Sequence, residues 1–271
     1  MFLLRMVRKN RGSVLKDITT DFSAGNHGAH VSERTVKGIL HKNKVYRRVV
    51  RKRMVVKEIN RKKRLAWCLL KRRWSVEQNW KPVIFSDESH VVLGQNNRVY
   101  VWRSAQESYR PECMYAISKP KVSVMIWGCI SWYGPGTLCK VQGNINAQKY
   151  INILDNHLWP VIARHFPANN YVFQDDNAPV HRAHVVQEYK HANNIRGMVW
   201  LAQSPDINII ENCWHRIKRA IQDHAGDITT SDQLFEIILN TWQNFTAEYL
   251  FKSIPRRIMA CIRSKGHLTK Y

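Results

Sequence analysis

The chain has 271 residues, 44% of them hydrophobic, with 43 lysines and arginines against 20 aspartates and glutamates, a formal net charge of +23. That length and composition suit one large domain plus a small one. No apolar run approaches the ~18 residues of a membrane span, and "MFLLRMVRKN" turns basic too soon for a secretory leader, so membrane and secretory classes are excluded. The six cysteines are scattered, without paired C-x-x-C or zinc-finger spacing, and read as reduced intracellular thiols.

Charge is unevenly placed. Residues 1–80 hold 22 lysines and arginines against 5 acids, net +17, while residues 81–271 hold 21 against 15, net +6. A basic head that also shows apolar periodicity is a foldable unit rather than a tail, and its clustered charge is the electrostatic footprint of nucleic-acid binding. Leu3, Leu4 and Val7 share one helical face, closed by the turn signal "NRG". A second helix, N-capped by Ser13, aligns Leu15, Ile18 and Phe22. After "AGNHGAH" a third helix, "SERTVKGILHKN", is capped by Ser32 and turns Val36, Ile39 and Leu40 inward, leaving Glu33, Arg34, Lys37 and His41 outside.

Three short helices with a tight turn before the last describe a helix-turn-helix over residues 1–45, a pattern that other small helical domains share. The exposed bases on the third helix and the run "YRRVVRKRMVVKEINRKKR" favour DNA. Candidate contacts are Arg34, Lys37, His41, Lys44, Arg47, Arg48, Arg51, Lys52 and Arg53. The same run serves equally well as a nuclear-import signal. It belongs to a basic linker and helix expected over 46–80.

From residue 81 the pattern changes. "PVIFSDES" predicts a buried strand with Asp87 at its C-terminal tip. Further strands are expected at "HVVLG", "RVYVWR", "KVSVMIWGCIS" and "TLCKVQG", with turns at "QNN" and "YGPG". A helix follows from about Ala147 to His165, then the strand "NYVFQDD" and a helix opened by Pro179. Past the loop "LAQSPDIN", a last helix lines up Ile210, Cys213, Trp214, Ile217 and Ile221, with Glu211 at its edge. The order predicts an α/β domain over 81–271, a mixed sheet flanked by helices, behind the small all-α head.

Asp175 and Asp176 stand side by side, and like charges that close raise each other's pKa unless a cation or strong donors intervene. Carboxylates on two strand tips and a helix start suit a magnesium site, because hard cations take oxygen ligands. Two such ions clamp the attacking and leaving oxygens of a phosphodiester displacement. The residues by themselves equally fit ordinary strand-end and helix-start acids. His181 reads as a substrate contact or as a local hydrogen-bonder; Trp127, Trp200 and Trp214 read as core.

The segments "IFSDES", "YVWR", "VMIWGCIS", "FQDDNAPVH", "AQSPDINIIENCW" and "KGHLTKY" resemble, in order and spacing, those of DNA transposases of the mariner superfamily, on its worm-type branch. The resemblance covers essentially the whole chain. It implies an RNase H-like catalytic domain and a triad of two aspartates and a glutamate holding two Mg²⁺ ions, with Mn²⁺ as a substitute. In that family 34 residues separate the second aspartate from the glutamate. Asp176 and Glu211 keep that interval, and Asp176 stands before "NAP", so the resemblance assigns both catalysis and metal binding to Asp87, Asp176 and Glu211.

It further implies cleavage at transposon inverted repeats, strand transfer into TA sites of double-stranded DNA, a homodimer on DNA and action in the nucleus. The departures are Asp175 where relatives carry a neutral residue, Ile209 and Leu201 where they carry prolines, and a glycine-free "SKPKVSV". Relatives also carry two successive helix-turn-helix subdomains, of which this chain is expected to lack the first. The alternatives are a transposase-derived DNA-binding protein without catalysis, and a nuclease of the same fold without strand transfer.

Overall fold

The computed structural model describes residues 2–9, 13–25, 30–47, 55–93, 122–223 and 228–271. The expected strand "RVYVWR", the turns "NRG" and "QNN", and Arg48, Arg51, Lys52 and Arg53 lie outside the described residues. The chain divides into two compact units, Met1–Val55 and Val56–Tyr271.

The small unit holds α1 (Phe2–Lys9), α2 (Leu15–Gly25) and α3 (Glu33–Lys42). Leu3, Ile18, Val36 and Leu40 form its core, with Leu4, Val7, Leu15 and Phe22 packed against them, as the helical spacing predicts. Ser32 Oγ accepts the Thr35 amide at 3.2 Å and fixes the start of α3. Two details differ from expectation. The Ile18 amide bonds to Val14 O at 3.1 Å, so Val14 rather than Ser13 takes the capping position of α2. Ile39 points outward and is 37% exposed, because a three-helix head this small covers only the Val36–Leu40 edge of α3.

The larger unit is built on four strands: β1 (Val83–Val92), β2 (Ser123–Ser131), β3 (Gly134–Val141) and β4 (Val172–Gln174). They lie in the order β3-β2-β1-β4. All neighbours are antiparallel except β1 and β4, which run parallel with Phe85 opposite Gln174. A parallel bridge from Phe173 to Gly197 extends the sheet past β4. "IFSDES" and "HVV" form one strand rather than two, because β1 stays paired with β2 as far as Val92. Asp87 is therefore mid-strand and not at a tip; what ends near it is the pairing with β4, which stops at Phe85.

Helices cover both faces of the sheet. On one side α5 (Ala147–Ile153), a π turn (Leu154–Leu158) and α6 (Trp159–His165) make the rod expected over 147–165. The π turn precedes Pro160, which has no amide to donate to the preceding turn. The helix expected to open at Pro179 begins instead at His184 (α7, His184–Ala192). The amides of Arg182 and Ala183 bond to the carbonyls of residues 178–180 in tight turns first.

On the other side α8 (Ile210–Asp223) buries Ile210, Cys213, Trp214, Ile217 and Ile221, the face read from the sequence. Two helices outside the expected elements, α9 (Ser231–Gln243) and α10 (Glu248–Arg263), complete this layer. Within the segment expected as linker, α4 (Glu58–Lys71) packs against α10. Arg64, fully buried on α4, donates to Gly266 O, Gln203 O and Asp206 Oδ2, each at 2.9 Å. The described cysteines are all free. No described helix is long and apolar enough to cross a membrane.

Candidate active site

Parallel register sets the site up. Phe85 and Gln174 are partners on adjacent strands, so Asp87 and Asp176 each stand two residues further along their own chains. β4 ends at Gln174, and Asp176 sits in the irregular segment that follows.

Asp87 is half-buried, and its Oδ2 accepts the Trp214 indole N–H at 2.9 Å. Burial holds its carboxyl well above the usual carboxylate range, and the Glu211 and Glu88 carboxylates add to this against the pull of Trp214. Glu211, in the first turn of α8, is itself raised by burial. Trp214 is thus more than core. Its ring reaches Asp87 because Gly128 lies opposite Asp87 on β2, and a Cβ there would come within 3.0 Å of the Trp214 ring and 2.9 Å of Leu138. The glycine of "VMIWGCIS" is the sequence trace of that approach.

Asp176 takes a different partner. Its Oδ1 accepts the Ala178 amide at 2.7 Å and lies 2.7 Å from His181 Nδ1. Burial pushes its pKa up, but the bonds from His181 and Ala178 outweigh this and hold the carboxyl below its ordinary value. His181 Nε2 reaches Glu88 Oε1 at 3.1 Å, and its ring stacks on Tyr150 at 4.1 Å between centroids. Burial opposes the charge on His181, yet Asp176 and Glu88 together raise it to about 10. The ring bridges two carboxylates, which favours its protonated form, and His181 is placed as a local hydrogen-bonder. Glu88, unremarked in the sequence, is its second anchor.

Asp175 takes other partners at the edge of this cluster. It accepts the Tyr150 hydroxyl at 2.9 Å and is ion-paired with Lys190. The adjacent acids are separated by pairing each with its own cation. Ile209 and Leu201, which the sequence pattern sets apart from the family it resembles, are buried apolar side chains in the core around α8.

Among the described residues no three histidine, cysteine, aspartate or glutamate side chains converge into a closed metal-ligand set. Glu211 raises Asp87 electrostatically, whereas Asp176 is turned to His181. The donor chemistry still fits a hard cation, because a half-buried carboxylate with like-charged neighbours, bonded only by the Trp214 indole and a backbone amide, lacks positive charge. Gln174, fully buried on the face that carries Asp87, has both amide atoms without a partner among the described residues. In the small unit Arg34, Lys37, His41, Lys44 and Arg47 are all exposed, the first three on α3.

A mixed sheet in this order, with an acid on its central strand and helices on both faces, is an RNase H-like fold. A family profile described as "DDE superfamily endonuclease" matches residues 82–234, and a helix-turn-helix profile described as "Transposase" matches residues 2–72. The chain is 30% identical over 276 residues to the transposable element Tc1 transposase of Caenorhabditis elegans, covering 99% of this chain and 98% of that one. It is 26% identical to the Tc3 transposase of the same organism, covering 89% and 72%. Among solved structures, the Mos1 mariner paired-end complex with Mn aligns at a TM-score of 0.80 and 16% identity over 99% of this chain and 79% of that one. The isolated Mos1 catalytic domain aligns at 0.61 over 81% and 100%. The chain belongs to the Tc1/mariner transposases.

Proposed function

We infer that this transposase cuts and joins DNA with divalent ions held by Asp87, Asp176 and Glu211. The observation that carries the reading is the half-buried Asp87 carboxyl, kept high by desolvation and by Glu211, at the midpoint of an interior strand of an RNase H-like sheet. When bound, Mg²⁺ or Mn²⁺ supplies Lewis acidity and an activated water.

The protein's own part is to present oxygen ligands, to orient Asp87 through Trp214, and to hold Asp176 until the site is loaded. On this reading the transposon end is hydrolysed first, and the freed 3′ hydroxyl then attacks target DNA at a TA step. The small unit supplies DNA attraction through Arg34, Lys37, His41, Lys44 and Arg47, and through Arg48, Arg51, Lys52 and Arg53 further along. We extend the reading to a homodimer acting on inverted repeats in the nucleus. It is tested by incubating the chain with end-containing and TA-containing DNA in Mg²⁺. Nicking followed by joined products supports it. Nicking without joining would make the chain a nuclease, and DNA binding without nicking a DNA-binding protein.

Two consequences are measurable. Trp214→Phe keeps an aromatic, though smaller, side chain and removes the donor to Asp87, and loss of such a supporting bond is expected to weaken metal affinity by about 10- to 100-fold. A Mg²⁺ titration of nicking should shift to higher concentration, with the maximal rate largely recovered at saturation; an unshifted titration would remove Trp214 from the site. The second concerns salt. If the +17 head neutralises several phosphates, log K should fall against log salt with a slope near −0.9 per phosphate. A fragment of residues 1–80 should carry most of that slope, and a slope residing wholly in residues 81–271 would refute the head's role.

A further inference from the structure

Beside the candidate active site lies a cavity of about 630 Å³, framed by α4, the segment after Asp176 and the loop 198–202. Its walls are apolar, from Trp67, Leu70, Met198, Val199, Trp200 and Leu201, and its polar lining is Asn60, Lys63, Asn177 and Arg182. We propose that this cavity receives one unstacked nucleotide of the DNA strand handled at the carboxylates, a proposal that rests on the DNA-cleaving reading above.

Size and chemistry select that occupant. The volume lies in the range of small-ligand sites, roughly 300 to 1,000 Å³. It admits a base with its sugar and phosphate, and not a stacked duplex. Leu70 and Val199 are 77% and 81% exposed, which leaves two large apolar side chains in water at the cavity's edge. A base face would cover such surfaces, since a base stacks on apolar and aromatic walls without regard to sequence. Lys63 and Arg182 form no ion pair among the described residues, so two positive charges stand ready for a phosphodiester. An apolar slot edged by free cations matches a nucleotide better than it matches a neutral or basic peptide.

The cavity is also tied to the catalytic segment. Asn177, the residue after Asp176, donates its side-chain amide to Trp200 O at 2.8 Å, and Trp67 Nε1 donates to Val199 O at 2.9 Å. The loop walling the cavity is therefore held from α4 on one side and from the Asp176 segment on the other. A nucleotide seated there would lie next to the carboxylates, and its unstacking would draw the neighbouring phosphate away from duplex geometry.

The test uses the full chain in EDTA, so that binding is read without cleavage, with two probes: a blunt duplex and the same duplex with a short 3′ single-stranded overhang. The wild type should prefer the overhang by about tenfold, the scale of one base stacked on protein. Leu70→Gln with Val199→Gln, both neutral and at exposed positions, should erase the preference and leave blunt-duplex affinity unchanged. Lys63→Gln with Arg182→Gln should reduce the salt slope on the overhang probe by roughly one to two. A preference untouched by Leu70→Gln/Val199→Gln overturns the proposal, as does its absence in the wild type. The two readings fail separately. Wild-type nicking in Mg²⁺ without an overhang preference sinks only the cavity. An overhang preference that depends on Leu70 and Val199 without any nicking sinks only the catalytic reading.

Discussion

Asp176→Ala is expected to abolish Mg²⁺-dependent nicking, and Asp175→Asn to leave the chemistry in place while weakening the fold. The first follows from losing an ion ligand: metal placement is worth several kcal/mol of transition-state stabilisation, and each ~1.4 kcal/mol is tenfold in rate, so a loss of about a thousandfold or more should be seen. Asp176 also bonds the Ala178 amide and the buried His181, so Asp176→Ala should cost some thermal stability as well, and the loss of nicking is read per folded molecule. Asp175 has the opposite profile. Its side chain and that of Lys190 are 13% and 8% exposed, and neutralising one member leaves a buried ammonium without its counter-charge. Breaking a buried pair costs about 3 kcal/mol or more, equivalent to about 6–12 °C in melting temperature for a unit of this size. Nicking rates per folded molecule, measured beside thermal melts, check both. Loss of nicking by a fully folded Asp175→Asn, with activity retained by Asp176→Ala, would reverse the assignment.

Arg64→Ala is expected to produce the largest loss of stability in the larger unit, about 3 to 5 kcal/mol. Arg64 and Asp206 are both buried, and Asp206 Oδ2 also accepts the Thr269 amide at 2.9 Å while its backbone carbonyl accepts from Arg257 at 3.0 Å. Removing the guanidinium strands a carboxylate and leaves the carbonyls of Gln203 and Gly266 without their donor. Arg64→Lys keeps the charge but not the planar fork, and should recover only a minor part. Gly266 shares in this contact. Its φ is +84°, and a Cβ there would meet Arg61 O at 2.2 Å, so only glycine lets the chain end dock on α4. Chemical denaturation measures the loss, and hydrogen exchange at residues 264–271 should accelerate with it. An Arg64→Ala variant within about 1 kcal/mol of wild type would show that the network contributes little.

The motifs "AQSPDIN" and "KGHLTKY" resemble family segments, yet their parts here are largely structural: Asp206 and Gly266 hold α4 in the larger unit. Residues 46–80 read as a basic linker and helix between head and catalytic domain. The helix is α4, and the buried arginine in the middle of that basic run makes it part of the core. A sequence counts Arg64 among its neighbours Arg61, Lys62 and Lys63, and only its position on the buried side of α4 sets it apart.

Local periodicity was sufficient for the three helices of the head and the inward face of α8, because an amphipathic element reports its own buried side. The interval between Asp176 and Glu211, with the resemblance it supports, pointed to the candidate carboxylates. Tertiary structure decided the pairings. It set Asp175 on Lys190, placed His181 between Asp176 and Glu88, and brought Trp214 past Gly128 to Asp87. It also made β1 one strand, with Asp87 in its middle. Apart from the local His181–Asp176 bond, these contacts join residues well separated in the chain, and they depend on strand register or on how a helix lies across the sheet. Such distances are absent from a linear sequence, because they exist only once the sheet has closed and the helices have packed upon it.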